Sequence, residues 1–414
     1  MKKKYAFILG HNPILSIAEV LSIFDYKPNI VACDRDFLII EADEFPSFFP
    51  DDFGGIIKFA EIYDSSSRED LLPRAVDVVK NFCKEQVIED KLIYAVSVYG
   101  KEKKVQKELL LEIKKESAFF ISGKRRFLNK RIDKNPAEAF LNSEGIYDKG
   151  VDLICCEKNG IFYLGVGLWS QNIDSYAYRD MRRPHRDSRN GMLPPKLAQS
   201  MLNLAREEKY YEPVWDPFCG SGTVLMESLL QRRSIIGSDY SDVMVGHSEA
   251  NVGWMITQSQ YERASDVPYT VQMEDVTSIR HIPVLNGQLP KVIVTEGYLG
   301  KNFRGLHPTR EETNEEQKKI MEIWKAFFEF LNLQKAEIEI VAAFPIHILS
   351  DGKFLRCREI FSLAQKNSFY VMPLVSNTAG IDKTLRGSYT QEGTIMYVRG
   401  EQFVGREIIK FKRK

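Results

Sequence analysis

A short glycine-rich segment, DPFCGSGT at residues 216–223, most strongly constrains the fold of this 414-residue chain. It follows the apolar pair Val214-Trp215 and precedes a helical pattern at residues 224–230. A strand, a tight glycine turn and a helix in this order leave backbone N–H groups at the helix start, where they can bind an anion. Glycine lets a ligand approach the main chain, because no Cβ stands in the way. The segment therefore predicts a ligand site in an α/β domain.

Two common nucleotide-binding motifs do not fit this segment. A phosphate-binding loop needs a lysine directly after its last glycine, and Thr223 follows Gly222. A dinucleotide-binding loop needs a third glycine, which is missing. The remaining pattern, Asp-Pro-x-x-Gly-Ser-Gly-Thr, resembles the first motif of S-adenosylmethionine (SAM) methyltransferases that act on amino groups. The resemblance implies that SAM is the cofactor and that four residues of the segment hold it: Asp216, Phe218, Gly220 and Gly222.

Acidic residues at the ends of the next two predicted strands extend this cofactor site. Asp239 ends an apolar run about 20 residues after Gly220, the spacing at which an acid takes ribose hydroxyls. Tyr240 follows and can flank the adenine, and Asp275, after the next strand pattern, can accept the adenine amino group. A single acid at a strand end is more often a helix cap. Acids at successive strand ends around a glycine loop favour the SAM site.

The fourth predicted strand ends in Glu296-Gly297-Tyr298, where amino methyltransferases place an acid-Pro-Pro-aromatic turn. That resemblance implies that the Glu296 carboxylate and the Gly297 carbonyl accept hydrogen bonds from the target amine, and that Tyr298 stacks on the base. Gly297 and Tyr298 stand where the family has prolines, so the turn is less rigid. The departure leaves two alternatives open: a different substrate, or a decayed site in a protein that only binds tRNA.

The order of units resembles one family over nearly the whole chain. Residues 8–16 (ILGHNPILS) and 54–61 (GGIIKFAE) resemble the amino-terminal domain of THUMP-type tRNA guanosine-N2 methyltransferases, and residues 72–170 resemble the THUMP module. The resemblance implies SAM-dependent methylation of the exocyclic N2 amino group of a guanosine in tRNA, with a small activating subunit as a further partner. A DNA amino methyltransferase is the alternative enzyme, and the RNA-type amino-terminal units argue against it.

These units predict the fold class and the domain bounds. We expect an α+β ferredoxin-like and THUMP RNA-binding region, followed by a Rossmann-like, doubly wound α/β methyltransferase domain. The polar residues 64–67 are predicted to connect the first two units. The predicted bounds are 1–70 for the ferredoxin-like domain, 71–172 for the THUMP domain, 173–190 for a linker and 191–414 for the methyltransferase domain.

The composition argues against several other classes of protein. No apolar run approaches the ~18 residues of a membrane span. The first ten residues read as a β-strand rather than a signal peptide, which predicts a cytoplasmic protein. The six cysteines form no Cys-x-x-Cys pair, so we expect neither a metal site nor a disulfide framework.

The 57 basic and 57 acidic residues balance overall, but the basic residues cluster in two places. Residues 99–134 hold 12 basic and 5 acidic side chains, and within them a glycine turn with three cations and a phenylalanine suits phosphate contact and base stacking. A second, arginine-rich cluster, which includes Arg189, lies in the predicted linker. The predicted RNA contacts are Lys124, Arg125, Arg126, Arg179, Arg182, Arg183 and Arg186.

Overall fold

The computed structural model of the chain is a mixed α/β structure built on two β-sheets. None of the helices among the residues it describes is long and apolar enough to cross a membrane. The described residues are 2–46, 48–88, 91–131, 134–186, 192–205, 212–301, 303, 307–335, 337–375, 381, 383–400 and 402–413.

The amino-terminal sheet has the strand order β2-β3-β1-β4-β8-β7-β5-β6. Its strands are β1 (Lys3–Leu9), β2 (Asn29–Cys33), β3 (Phe37–Ala42), β4 (Ile56–Ser66), β5 (Lys91–Tyr99), β6 (Lys124–Phe127), β7 (Gly150–Lys158) and β8 (Ile161–Ser170). The accompanying helices are α1 (Pro13–Ile23), α2 (Leu71–Glu85), α3 (Val105–Glu116), α4 (Glu138–Ser143), α5 (Ile146–Lys149) and α6 (Ile173–Met181).

Strands β4 and β8 pair antiparallel and join the two predicted amino-terminal units into one sheet. The prediction of a connection at residues 64–67 is wrong, because Asp64, Ser65 and Ser66 continue β4 and pair with β8. Their polar side chains suggested a loop, but ladder hydrogen bonds to the neighbouring strand decide the backbone conformation here. The division into units 1–70 and 71–172 stays a prediction.

A buried ion pair crosses over β8 within this sheet. Lys58 Nζ on β4 lies 2.7 Å from Asp152 Oδ2 on β7, and both side chains are fully buried. Ser97 Oγ accepts from Lys58 at 3.1 Å and donates to Asp152 Oδ1 at 2.9 Å. Gly167 of β8 leaves the space for this crossing, because a Cβ there would lie only 3.1 Å from the Tyr147 ring and 3.3 Å from Asp152 Cβ. The pair therefore fixes the relative positions of β4, β8 and β7.

The carboxy-terminal sheet has the main strand order β11-β10-β9-β12-β13-β17-β15, with β14 paired to β13 and β16 paired to β17. Its strands are β9 (Val214–Asp216), β10 (Ile235–Asp239), β11 (Tyr269–Met273), β12 (Val292–Glu296), β13 (Glu339–Ile348), β14 (Phe354–Arg356), β15 (Phe369–Met372), β16 (Ile395–Tyr397) and β17 (Val404–Arg413). The helices of this part are α7 (Pro195–Leu204), α8 (Thr223–Leu230), α9 (Asp242–Ile256), α10 (Arg310–Leu333) and α11 (Glu359–Lys366).

The topology of this second sheet confirms the predicted doubly wound α/β domain. Strands β9 to β13 are parallel, whereas β17 runs antiparallel between β13 and β15. Helices α7 and α8 contribute to the apolar cluster on one face, and α10 and α11 to the cluster on the other. The strand order reverses at β9, which pairs with β10 on one side and β12 on the other. Ligands of open α/β sheets bind at such a reversal, beyond the carboxyl ends of the strands.

A buried carboxyl group joins the amino-terminal sheet to the second domain. Glu19 of α1 accepts hydrogen bonds from the backbone N–H groups of Gly54 at 2.7 Å and Gly55 at 2.8 Å. It also accepts from Asn203 Nδ2 of α7 at 2.6 Å. Burial raises the pKa of Glu19 to about 7, and the hydrogen bonds from these three donors oppose part of that rise. One side chain thus holds the Gly54-Gly55 turn and α7 together.

Replacing Glu19 with glutamine should lower the free energy of unfolding by about 1–3 kcal/mol, because one backbone N–H then loses its acceptor. The wild-type pKa is raised from 4.5 to about 7, so the stability that this group supplies is present below about pH 4.5 and is lost as the pH rises through 7. The gap between wild type and Glu19→Gln should therefore be larger at about pH 5 than at about pH 8 in urea unfolding. The exposed change Glu337→Gln is the matched control, and an equal effect of both variants would contradict the expectation.

Candidate active site

A cleft of about 620 Å³ opens at the carboxyl ends of β9, β10 and β12. This is the edge at which the sheet reversal predicts a ligand site, and the volume lies within the usual range for small-molecule pockets. Among the predicted cofactor-binding and catalytic residues, only Gly222 and Asp275 do not line it. The predicted residues that do line it are Asp216, Phe218, Gly220, Asp239, Tyr240, Glu296, Gly297 and Tyr298.

Helix α9 holds the glycine loop from behind. Ser248 Oγ donates to the Gly220 carbonyl at 2.7 Å, and Asn251 Nδ2 donates to the Ser221 carbonyl at 2.8 Å. Gly220 and Gly222 have φ angles of 51° and 80°, which favour glycine. A Cβ on Gly222 would lie 3.0 Å from Ser248 Oγ, so this glycine serves the packing of the loop on α9. Sequence reasoning missed both α9 residues, whose only signal is that they lie about one helical turn apart on the helix that follows Asp239.

Asp216 lies at the floor of the cleft and is almost fully buried. Its Oδ1 accepts from Thr295 Oγ1 at 2.6 Å and from the Phe218 N–H at 3.2 Å. Burial raises the pKa of Asp216 to about 7, and these hydrogen bonds oppose the shift. A cation bound beside this carboxyl would favour its ionised form.

The three residues predicted to contact the adenosine part of SAM lie in different surroundings. Asp239 lines the cleft, and its carboxylate accepts from the backbone N–H groups of Gly220 and Ser241, each at 3.0 Å. Tyr240 also lines the cleft, with 73% of its surface exposed. Asp275 is exposed outside it, and its Oδ1 accepts from the N–H and the hydroxyl of Thr277, both at 2.8 Å. The predicted contact of Asp275 with the adenine amino group stays a prediction.

The Glu296 carboxylate forms a largely buried ion pair. Its Oε1 accepts a short hydrogen bond from Arg406 Nε, and Arg406 Nη2 donates to the Met192 carbonyl at 3.3 Å. Burial raises the pKa of Glu296, and the Arg406 guanidinium opposes this shift. Arg406 lies on β17, 110 residues further along the chain, and no local pattern could have identified it.

Trp324 explains why a glycine stands in the turn after Glu296. A Cβ on Gly297 would lie 2.9 Å from Trp324 Nε1 of α10, and this indole is buried in the core. The neighbouring Tyr298 lines the cleft and donates its hydroxyl to Glu316 Oε2 at 2.9 Å. Burial and the Glu316 carboxylate raise the pKa of Tyr298 to about 12. Sequence reasoning missed Glu316, because its acidic surroundings resemble a solvated helix face.

Two arginines of the predicted RNA-binding cluster are structural instead. Arg179 is buried and forms two hydrogen bonds with the Glu227 carboxylate, at 2.6 and 3.0 Å. Arg183 is buried and donates to Thr223 Oγ1 at 2.7 Å. The prediction that these two side chains contact RNA is wrong, because they are bound to the helix that follows the glycine loop. Both partners lie at least 40 residues away in sequence, so the local composition could not reveal them.

The other predicted RNA contacts lie at the surface. Arg126 of the edge strand β6 pairs through both terminal nitrogens with Glu144, at 2.6 and 2.7 Å. Arg189 lies outside the described residues, as does the end of the predicted linker from residue 187. The exposed residues of this set are Lys124, Arg125, Arg126, Arg182 and Arg186.

No group of three or more His, Cys, Asp or Glu side chains among the described residues is arranged to hold a metal ion. Residues 182–280 match the family model of the RMKL-like methyltransferase domain, UPF0020. The match includes the glycine-rich segment and Asp239, and it ends before Glu296.

Two curated relatives are similar to part of the chain, and both are named tRNA (guanine(10)-N2)-dimethyltransferase. The protein from Pyrococcus abyssi is 33% identical over 99 residues, which is 24% of this chain and 26% of the relative. The protein from Methanocaldococcus jannaschii is 44% identical over 64 residues, 15% of this chain and 18% of the relative. The chain thus spans about a quarter or less of the relatives it matches. The crystal structure of TrmN from Thermus thermophilus aligns over the whole of both chains with 13% identity and a TM-score of 0.47.

Substitution of Glu227 tests the buried pair that supports the glycine loop. Glu227→Gln leaves the Arg179 charge buried without its counter-charge, so the free energy of unfolding should fall by about 3–5 kcal/mol. Thermal and urea unfolding measure the loss. The control is Glu144→Gln, which removes the half-buried partner of the exposed Arg126 and should cost no more than about 1 kcal/mol. Equal losses of unfolding free energy in the two variants would show that the Arg179–Glu227 pair stabilises the fold no more than the Arg126–Glu144 pair does.

Proposed function

We propose that this chain, which carries an RMKL-like methyltransferase domain, transfers a methyl group from SAM to the exocyclic N2 amino group of a guanosine in tRNA. The observation that carries the proposal is the single cleft that joins the glycine loop and Asp239 to the carboxylate of Glu296. One end of this cleft suits a nucleoside cofactor, and the other suits an amine. The names of the two partial relatives support guanine N2 in tRNA as the target.

The residues of the cleft fit SAM on chemical grounds. Gly220 in the loop allows close approach to the main chain, and the cleft volume suits a ligand of this size. Asp239 keeps its carboxylate at the cleft surface while two backbone N–H groups fix it, so it can accept ribose hydroxyls. Asp216 provides a buried carboxyl for the cationic side of the cofactor. SAM, when bound, supplies the methyl group.

The roles of the substrate-side residues follow from their contacts. Glu296 is oriented by Arg406 and can accept a hydrogen bond from the target amino group, with the Gly297 carbonyl as a second acceptor. Two acceptors turn the nitrogen lone pair towards the methyl donor, so positioning supplies much of the rate enhancement. Tyr298, fixed through its hydroxyl by Glu316, offers a ring face to the base.

The proposal for the amino-terminal part is that residues 71–172 act as a THUMP module that grips tRNA. The exposed cations Lys124 and Arg125 on the edge strand β6 support this role, because they present charge that ion pairs among the described residues do not neutralise. A small activating subunit is a separate proposal from the family resemblance. Methyl transfer by the purified chain alone would exclude a requirement for it.

Methyl transfer from tritiated SAM to unmodified tRNA, followed by nucleoside analysis, tests the proposed activity. We expect labelled N2-methylguanosine with the wild type. Glu296→Gln should lower kcat by about 100-fold, because an amide loses the charge and one acceptor that position the amine. Glu337→Gln, an exposed change, should retain full activity. Label in a nucleoside other than guanosine would overturn the substrate, and equal rates for both variants would overturn the role of Glu296.

The ion pair of Glu296 predicts a pH effect. Burial raises the pKa of Glu296 and Arg406 opposes the rise, so Arg406→Gln should raise that pKa further. If the ionised carboxylate is the active form, the acidic limb of the kcat profile should move to higher pH in this variant. Arg406→Lys keeps the positive charge and should leave the limb near its wild-type position. An unchanged limb in Arg406→Gln, with a melting temperature near that of the wild type, would contradict the assignment.

A further inference from the structure

A second cleft, of about 870 Å³, lies between the amino-terminal sheet and the second domain. The amino-terminal unit contributes residues 10–12, 15 and 16 and the Gly54-Gly55 turn. The second domain contributes the first turns of α7 and, from the connection between β16 and β17, Tyr397, Arg399, Gly400 and Gln402. Neither the predicted cofactor residues nor the predicted RNA contacts line this cleft, so its contents are unassigned.

The lining of this second cleft is cationic. Lys196 and Arg399 line it, and no carboxylate does among the residues that the structure describes. Lys196 is half-buried and contacts two neutral groups: its Nζ donates to Gln171 Oε1 and lies 5.0 Å from the centre of the Tyr176 ring.

Arg399 likewise contacts a neutral group, since it donates to the Tyr397 hydroxyl at 2.7 and 3.1 Å. Burial lowers the pKa of Lys196, as do Arg179 and Arg399, whereas Glu138, which does not line the cleft, opposes the shift. The ion pairs found within the described part of the chain include neither Lys196 nor Arg399. Two cations that repel each other across a cleft with no carboxylate in its described lining are stabilised when an anion enters.

The two clefts are direct neighbours. Met192 and Leu193 line the first cleft, and Lys196 and Leu197 line the second. Three residues of chain span at most about 10 Å. The β16–β17 turn also lies at the active-site edge, because β17 runs antiparallel to β13 and therefore starts where the parallel strands end. A strand of nucleic acid with one nucleotide in the first cleft can thus reach Lys196 with a flanking phosphate.

We propose that the second cleft binds a phosphate group of the RNA strand next to the nucleotide that enters the candidate active site. Lys196 and Arg399 supply the charge, and the amide of Gln171 keeps the Lys196 ammonium group at the cleft. The anion site follows from the cleft itself, whereas the identity of its occupant rests on the proposed function.

The test is binding of a fluorescent tRNA transcript over a range of salt concentrations. Lys196→Gln/Arg399→Gln should weaken binding by at least about tenfold and should lower the slope of log K against log salt by about 0.7–0.9, the value for one phosphate. Lys196→Arg should retain binding, because it keeps the cation. The matched control is Arg232→Gln/Lys353→Gln, which removes two exposed cations that pair with Asp266 and Asp351. Titration with S-adenosylhomocysteine and melting temperatures exclude damage to the first cleft and to the fold.

A second arm replaces tRNA with inorganic pyrophosphate and measures the melting temperature. A shift in the wild type that the double variant loses, together with unchanged tRNA binding, supports a phosphate site and overturns RNA as its occupant. No difference between the double variant and the control in either arm overturns the site. Loss of tRNA binding in a protein that transfers no methyl group would support the site while it contradicts the proposed function.

Discussion

The hydrogen bonds of Asn251 hold together the parts from which the candidate active site is built. Its Nδ2 donates to the Ser221 carbonyl of the glycine loop and to the His185 carbonyl, and its Oδ1 accepts from the His185 N–H. One buried amide thus connects α9, the loop and the segment that enters the second domain. The two glycines of the loop allow many backbone conformations. Its shape in the absence of ligand therefore depends on this amide, on Ser248 and on the buried Arg183 behind Thr223.

Tertiary contacts explain how Glu296-Gly297-Tyr298 can replace the acid-Pro-Pro-aromatic turn at the end of β12. Gly297 cannot carry a larger side chain without displacing the Trp324 indole, which packs within the aromatic cluster behind the sheet. Glu296 is held by Arg406, and Tyr298 is held by Glu316. Side-chain contacts thus provide the rigidity that prolines would give to the backbone. This organisation favours an adapted site over a decayed one.

The sequence was informative wherever the chemistry is local. The glycine loop, the strand ending at Asp239 and the turn at Glu296 are each contained in a few consecutive residues, and all of them reach the same cleft. The residues that support these groups could not be predicted, because Arg406 and Asn251 are distant in sequence and contact the site only through tertiary packing. Charge patterns were misleading for the same reason. Arg179 looked like part of an exposed cluster until Glu227 supplied a buried partner.

Calorimetric titration of the chain with S-adenosylhomocysteine tests the central claim, that the glycine-loop cleft holds the cofactor. We expect binding at one site, which Asp239→Ala weakens by at least about tenfold because the ribose acceptor is lost. Asp266→Ala, which removes an exposed acid paired with Arg232, should bind like the wild type. Absence of binding to a folded wild-type chain, or equal affinities for wild type and Asp239→Ala, would contradict the account.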